Sequence, residues 1–224
     1  MPPATATATA ATATPNAGGY PAVLQAATPQ LADFLALLER PGPTSDLTII
    51  AAATSGGGGG GNSRNFNVHR AILAARWPYF ATLFASGLGD SGARELPLPD
   101  IDPDDLQVLL RFVYGGELVV ASRKQTHSCA ALADRLLLPQ AVGLLQEHLL
   151  STLSVDTIIA DLMWAAGLPD PLQWELFVSM LDFCGADVEE ELPLGELQQL
   201  AAARPELMAQ LYTARRRAAG RLRS

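Results

Sequence analysis

The sequence is short of most of what a chemical site is built from. It has two cysteines, Cys129 and Cys184, in 224 residues. They cannot make a disulfide framework and read as thiols of a reducing compartment, nucleus or cytoplasm. The three histidines, His69, His127 and His148, share no metal-ligand spacing with one another or with a cysteine. Cys129 lies two residues from His127, and side chains at i and i+2 point to different faces of a helix. Charged residues make up only 17% of the chain, and the net charge is −8. Phosphate binding needs a basic face, so nucleic acid is not the expected partner. No apolar run approaches the ~20 residues of a membrane span. The N-terminus lacks the basic region and apolar core of a secretory signal. Serine, histidine and aspartate occur without a Gly-x-Ser-x-Gly elbow or other nucleophile context. The expectation is a chain with no catalytic, metal or cofactor site, and no enzyme.

Two motifs invite sharper chemistry and fail. "DIDPDD", Asp100 to Asp105, begins like a calcium loop. Asp105 sits where the turn glycine belongs, and Arg111 occupies the twelfth position in place of glutamate. Helix capping accounts for the acids. The glycines of "TSGGGGGGNSRN" resemble a phosphate loop, but no Gly-Lys-Ser/Thr opens a helix after them. A long hairpin loop is the reading.

What is present is a core: 49% of residues are hydrophobic. Residues 1–28 are Ala/Thr-rich and expected to be disordered. "LADFLALLER" puts Leu31, Phe34, Leu35 and Leu38 on one helical face. A helix this short is unstable alone, so that face must dock on something. "DLTIIAAA", Asp46 to Ala53, reads as a buried strand, and "FNVHR", Phe66 to Arg70, as its hairpin partner. "AILAAR" is a helix. Pro78 opens the next, whose stripe is Phe80, Leu83 and Phe84. "ELPLPDI" is a short strand. Asp102 caps a helix with Pro103 at its first position, a stripe of Leu106, Leu109, Leu110 and Val113, and Gly115 as its C-cap. "ELVV" is a strand. Helices follow near 126–137 and 139–151, the second with Leu138, Val142, Leu145 and Leu149 on one face. Beyond Ser151 the pattern is helical. Ser154 caps the first of these helices, and a second carries Leu172, Leu176, Met180 and Phe183 on one face.

With "SDLTII", "FNVHRAILAARWPYFATLF", "LPLPDIDPDDLQVLLRFVYGGEL" and "ALADRLLLPQAVGLLQEHL" in this order, the chain resembles the BTB/POZ domain. "LADFLALLER" and the tail from "LSVDTIIADLMWAAGL" look like the extra N-terminal helix and the short BACK-type extension of the speckle-type POZ protein group. The resemblance implies an α+β fold, a small sheet flanked by helices, followed by an all-helical extension. It divides the chain into a disordered segment (1–28), a dimerisation helix with linker (29–43), the BTB unit (44–152), BACK-like helices (153–213) and a basic end (214–224). It implies a homodimer with Leu31, Phe34, Leu35, Leu38, Asp46 and Arg70 at or near the interface, Asp46 and Arg70 paired as opposite charges. It makes His69 the end of a strand, not chemistry. It implies an adaptor that recruits an unknown substrate or scaffold protein to a cullin-3 ubiquitin ligase, through a face of Phe84, Leu88, Asp90 and Tyr114. The alternative is a dimerisation or scaffold module without cullin binding. Trp77 departs from the family, which keeps a small capping residue before the proline. A bulky indole cannot cap and must pack or lie on the surface.

Overall fold

The structure, a computed structural model, describes residues 22–25, 32–53, 63–87, 89–168, 176–181 and 194–221. Leu31, Leu88, Leu172, Phe183, the polyglycine loop and residues 1–21 lie outside the described residues, as does the side chain of Asp90. The chain forms two compact units, Met1–Leu145 and Gln146–Ser224.

The first unit is α+β, as expected. Its three-stranded sheet has β2 (Leu47–Ala52) in the centre, β3 (Ser63–Val68) antiparallel on one side and β4 (Glu95–Pro99) parallel on the other. Alternation sets its two faces. Leu47, Ile49 and Ala51 are buried with Val68, Leu96 and Leu98. On the opposite face Thr48 donates from Oγ1 to Asn67 Oδ1 at 3.0 Å. β3 begins three residues earlier than the hydrophobic pattern predicts and ends at Val68, so His69 lies just past the strand.

A four-residue strand, β1 (Ala22–Gln25), pairs antiparallel with β5 (Glu117–Val120). This corrects the reading of residues 1–28 as disordered throughout. Leu24 lies opposite Leu118, 94 positions on in the sequence, so nothing local in "AVLQ" announces the pairing.

The helices are α1 (Ala32–Glu39), α2 (Arg70–Arg76), α3 (Pro78–Ala85), α4 (Pro103–Gly115), α5 (Arg123–Arg135) and α6 (Pro139–Ser151), the last running on into the second unit. α4 is the hub and packs against α1, α2, α5 and β5. Leu106, Leu109, Leu110, Phe112, Val113 and Tyr114 are all buried in it. Asp102 caps it by accepting from the Asp104 N–H at 2.8 Å. The C-cap is Gly116 rather than Gly115, in the left-handed conformation (φ 76°) that glycine adopts without a Cβ clash. α5 starts three residues before the expected boundary. Ser122 accepts from the Gln125 N–H, and the Gln125 side chain accepts from the Ala121 N–H, a Ser-x-x-Gln start legible in "SRKQ". α5 ends with main-chain bonds from Leu138 N to Ala133 O and from Leu137 N to Asp134 O, around a left-handed Leu137.

In the second unit, α7 (Ile158–Ala165), α8 (176–181), α9 (Leu194–Ala203) and α10 (Pro205–Arg221) bury Ile158, Leu162, Leu176, Met180, Leu200 and Leu211. Ser154 does not cap α7. Its carbonyl accepts from the Thr157 and Ile158 N–H groups in a turn, and the helix starts at Ile158. A serine followed by a β-branched run misplaces the boundary by one turn.

Candidate functional site

The hairpin turns into α2 at His69 and Arg70. The Arg70 main-chain N–H would be an orphan at the helix start. The Asp46 carboxylate accepts it at 2.8 Å, reaching across from the residue before β2. This corrects the expected Asp46–Arg70 ion pair: the acid meets the residue's backbone, not its guanidinium. The Arg70 guanidinium goes elsewhere. It donates to the Ser91 carbonyl at 2.6 Å and to the Ala93 carbonyl, and lies 4.6 Å from the centre of the Phe84 ring. Sequence pattern signals two opposite charges and omits main-chain acceptors, so Ser91 and Ala93 were missed.

His69 is buried and fully engaged. Its main-chain N–H donates to Tyr114 Oη at 2.8 Å. Its Nδ1 lies 3.1 Å from the same oxygen, and its Nε2 lies 3.1 Å from Thr44 Oγ1. The phenol accepts the main-chain proton, and both ring nitrogens have a hydroxyl partner within hydrogen-bond distance. Burial pushes the Tyr114 hydroxyl up to about 12; the His69 N–H works against the shift and the charge of Asp46 adds to it. Tyr114 is fully buried. It therefore cannot anchor a partner in a surface groove, and that expectation is corrected. The stripe itself points this way: Tyr114 follows Leu106 and Leu110 at i+8 and i+4, on the face that packs inward.

Trp77 also packs. It is fully buried, and its indole donates to the Leu136 carbonyl at 2.7 Å, at the C-terminal end of α5. Phe80 meets it edge to face at 4.9 Å. Its backbone closes α2 by donating to Leu73 O and opens α3 by accepting from Ala81 N. One residue thus ends α2, starts α3 and bonds to the end of α5.

The surface left on this side consists of the half-buried Phe84 on α3 and the 3₁₀ turn Gly89–Gly92 leading to β4. Of the expected partner-binding face, the structure brings Phe84 beside this turn and removes Tyr114.

On the other side, α1 lies against α4. Leu35 packs on Gly115, where a Cβ would meet its side chain at 3.4 Å. Glu39 pairs with Arg111 at 2.7 Å. Leu35 and Leu38 are half-buried within the chain, while Phe34 remains 42% exposed, with the Arg76 guanidinium 5.8 Å from its ring. Part of the stripe expected to await a second copy is already covered.

Asp105 and Cys129 form a buried pair between α4 and α5, with Sγ 3.5 Å from Oδ1. Burial pushes both the carboxyl and the thiol up. Burial and the raised thiol both disfavour the thiolate that a nucleophile needs. Among the described residues, no group of three or more His, Cys, Asp or Glu could hold a metal ion. No helix there is long and apolar enough to cross a membrane.

A family model for the BTB/POZ domain matches residues 36–153. The chain belongs to this family. Among curated proteins, this BTB chain is 37% identical to Kelch-like protein 21 of Bos taurus over 139 residues, and 35% identical to that of Homo sapiens. Each match takes in 60% of this chain and 23% of the relative, so the chain spans less than a quarter of their length. Among solved structures it is similar to the BTB domain of zebrafish PATZ1, at 23% identity and a TM-score of 0.41 over 53% of this chain and 86% of that one. The BTB domain of human Gigaxonin matches at 20% identity and a TM-score of 0.42, over 55% and 93%. A BTB/POZ domain is a protein-interaction module, and in this one the buried polar groups around His69 are hydrogen-bonded to one another.

Proposed function

We propose that this chain is a homodimeric BTB adaptor that brings partners to a cullin-3 ubiquitin ligase in the nucleus or cytoplasm. The observation that carries the reading is the shaped turn Gly89–Gly92 next to a half-buried Phe84. BTB adaptors of this type present such a face, formed by paired helices after the hairpin and the loop beyond. Leu88 and Asp90 occupy the place of a hydrophobic-x-Glu motif. Catalysis belongs to the ligase, and the adaptor supplies position and effective concentration. Phe34, with Leu31, Leu35 and Leu38, supplies the contact between two copies, and the helices after 153 act as a BACK-like extension of the speckle-type kind. The second reading, a dimerisation or scaffold module without cullin-3, is favoured by Asp90, one methylene shorter than glutamate.

Calorimetry of the full chain against the cullin-3 N-terminal region tests the proposal. Heat of binding is expected, weakened by Leu88→Ala and strengthened by Asp90→Glu. No heat at high micromolar concentration, with a dimer still seen by light scattering, moves the chain to the scaffold reading.

A further inference from the structure

Arg70 is the first residue of α2, and its side chain reaches the segment between α3 and β4. One guanidinium nitrogen donates to the Ser91 carbonyl and the other to the Ala93 carbonyl, with the Phe84 ring against the cation. A single side chain thus joins α2, α3 and the segment. The composition of the segment gives it little intrinsic order. "GLGDSGA" contains three glycines and, after Leu88, no large side chain. Glycine loses more freedom on ordering than any other residue, so such a stretch keeps one shape only if something outside it imposes that shape. Two carbonyls two residues apart, both turned to one group, suit a planar fork of N–H donors. An ammonium is a point charge and does not match that geometry.

We propose that Arg70 is a positioning residue that sets the shape of Gly89–Ala93 before any partner arrives. This deepens the adaptor reading and rests on it for the partner. Arg70 acts through the segment, which carries Asp90, rather than by touching cullin-3.

Arg70→Lys tests this. It keeps the charge and the main-chain N–H that Asp46 caps, and loses the fork. Hydrogen exchange of the full chain is expected to quicken by about tenfold at the amides of 89–94, with β2 and α4 changed by less than about twofold. Affinity for the cullin-3 N-terminal region falls by about tenfold, because the binding shape is populated less before contact. Arg70→Met, which keeps the apolar stem, gives the same pattern. Unchanged exchange at 89–94 in both variants overturns the proposal. So does an equal quickening in β2 and α4, because Arg70 would then be holding the whole fold. If the parent chain does not bind cullin-3 while the segment loosens in both variants, the positioning role holds and the adaptor reading fails.

Discussion

The two ends of α2 use the same chemistry on different material. At its first residue, Arg70 donates to two carbonyls and lies on an aromatic ring. At its last, Arg76 does likewise, donating to Val113 O at 2.7 Å and Tyr114 O at 3.2 Å, with Phe34 against it. The carbonyls that Arg76 takes are orphans at the C-terminal end of α4, where a cation also meets the favourable end of the helix dipole. They belong to buried residues, so water reaches them less readily than it reaches an exposed turn if the arginine leaves. The carbonyls that Arg70 takes belong to a glycine-rich turn with exposed neighbours, which can loosen and hydrate. Arg70 spreads two nitrogens over its carbonyls and Arg76 serves both of its carbonyls from one, so the same side chain is local shape at one end and global stability at the other.

Substitutions at three positions test that contrast. The largest effect belongs to Trp77, which closes the C-terminal end of α2 and fills the core. Trp77→Ala is expected to cost about 3–5 kcal/mol, with a fall of roughly 10 °C in Tm by calorimetric scan. A much smaller loss would mean that the core does not depend on this end of α2. Arg76→Met comes next, at about 2 kcal/mol in urea unfolding, because it strands buried carbonyls. If it costs no more than Arg70→Met, the two ends do the same work and the distinction is lost. Asp46→Ala is smallest, at about 1 kcal/mol, the worth of one helix-start acceptor, and Asp46→Asn should recover most of it. In an Arg70→Met background the loss from Asp46→Ala should be unchanged, because the carboxylate serves the backbone N–H. A loss that disappears there would restore the ion pair.

Sequence was most informative where the signal is local. Asp102 before Pro103, Pro78 at a helix start, and the strand of Asp46 to Ala53 each carry their cause within a few residues, and the structure has them within a residue or so. The Trp77 reading went halfway. That an indole cannot cap follows from its chemistry, but its bond to the Leu136 carbonyl joins residues 59 apart. β1 stayed hidden for the same reason, because its partner strand lies nearly a hundred positions on. At the candidate surface, Phe84 was legible as the outer edge of a stripe. Tyr114 is legible too, one turn past Leu110 on the buried stripe of α4, and only the family resemblance made it a surface residue. Arg70 was noticed for its charge and misassigned, because a one-dimensional reading pairs charges with charges and leaves out the main chain.

Among the described residues the three-stranded sheet has β3 and β4 at its edges, and the two edges are unequal. β4 reads Glu-Leu-Pro-Leu-Pro, and Pro97 and Pro99 lie opposite Ile50 and Ala52 on its partner. A central strand could not lose two of five N–H groups; an edge strand can. An extended segment approaching β4 from outside finds too few donors to form a ladder. That border of the molecule resists strand addition, and with it the sheet-to-sheet stacking by which crowded chains aggregate. Growth of the sheet is confined to β3, where Ser63, Asn65 and Asn67 keep the exposed positions polar. The two prolines thus act as a terminus written into one side of the sheet.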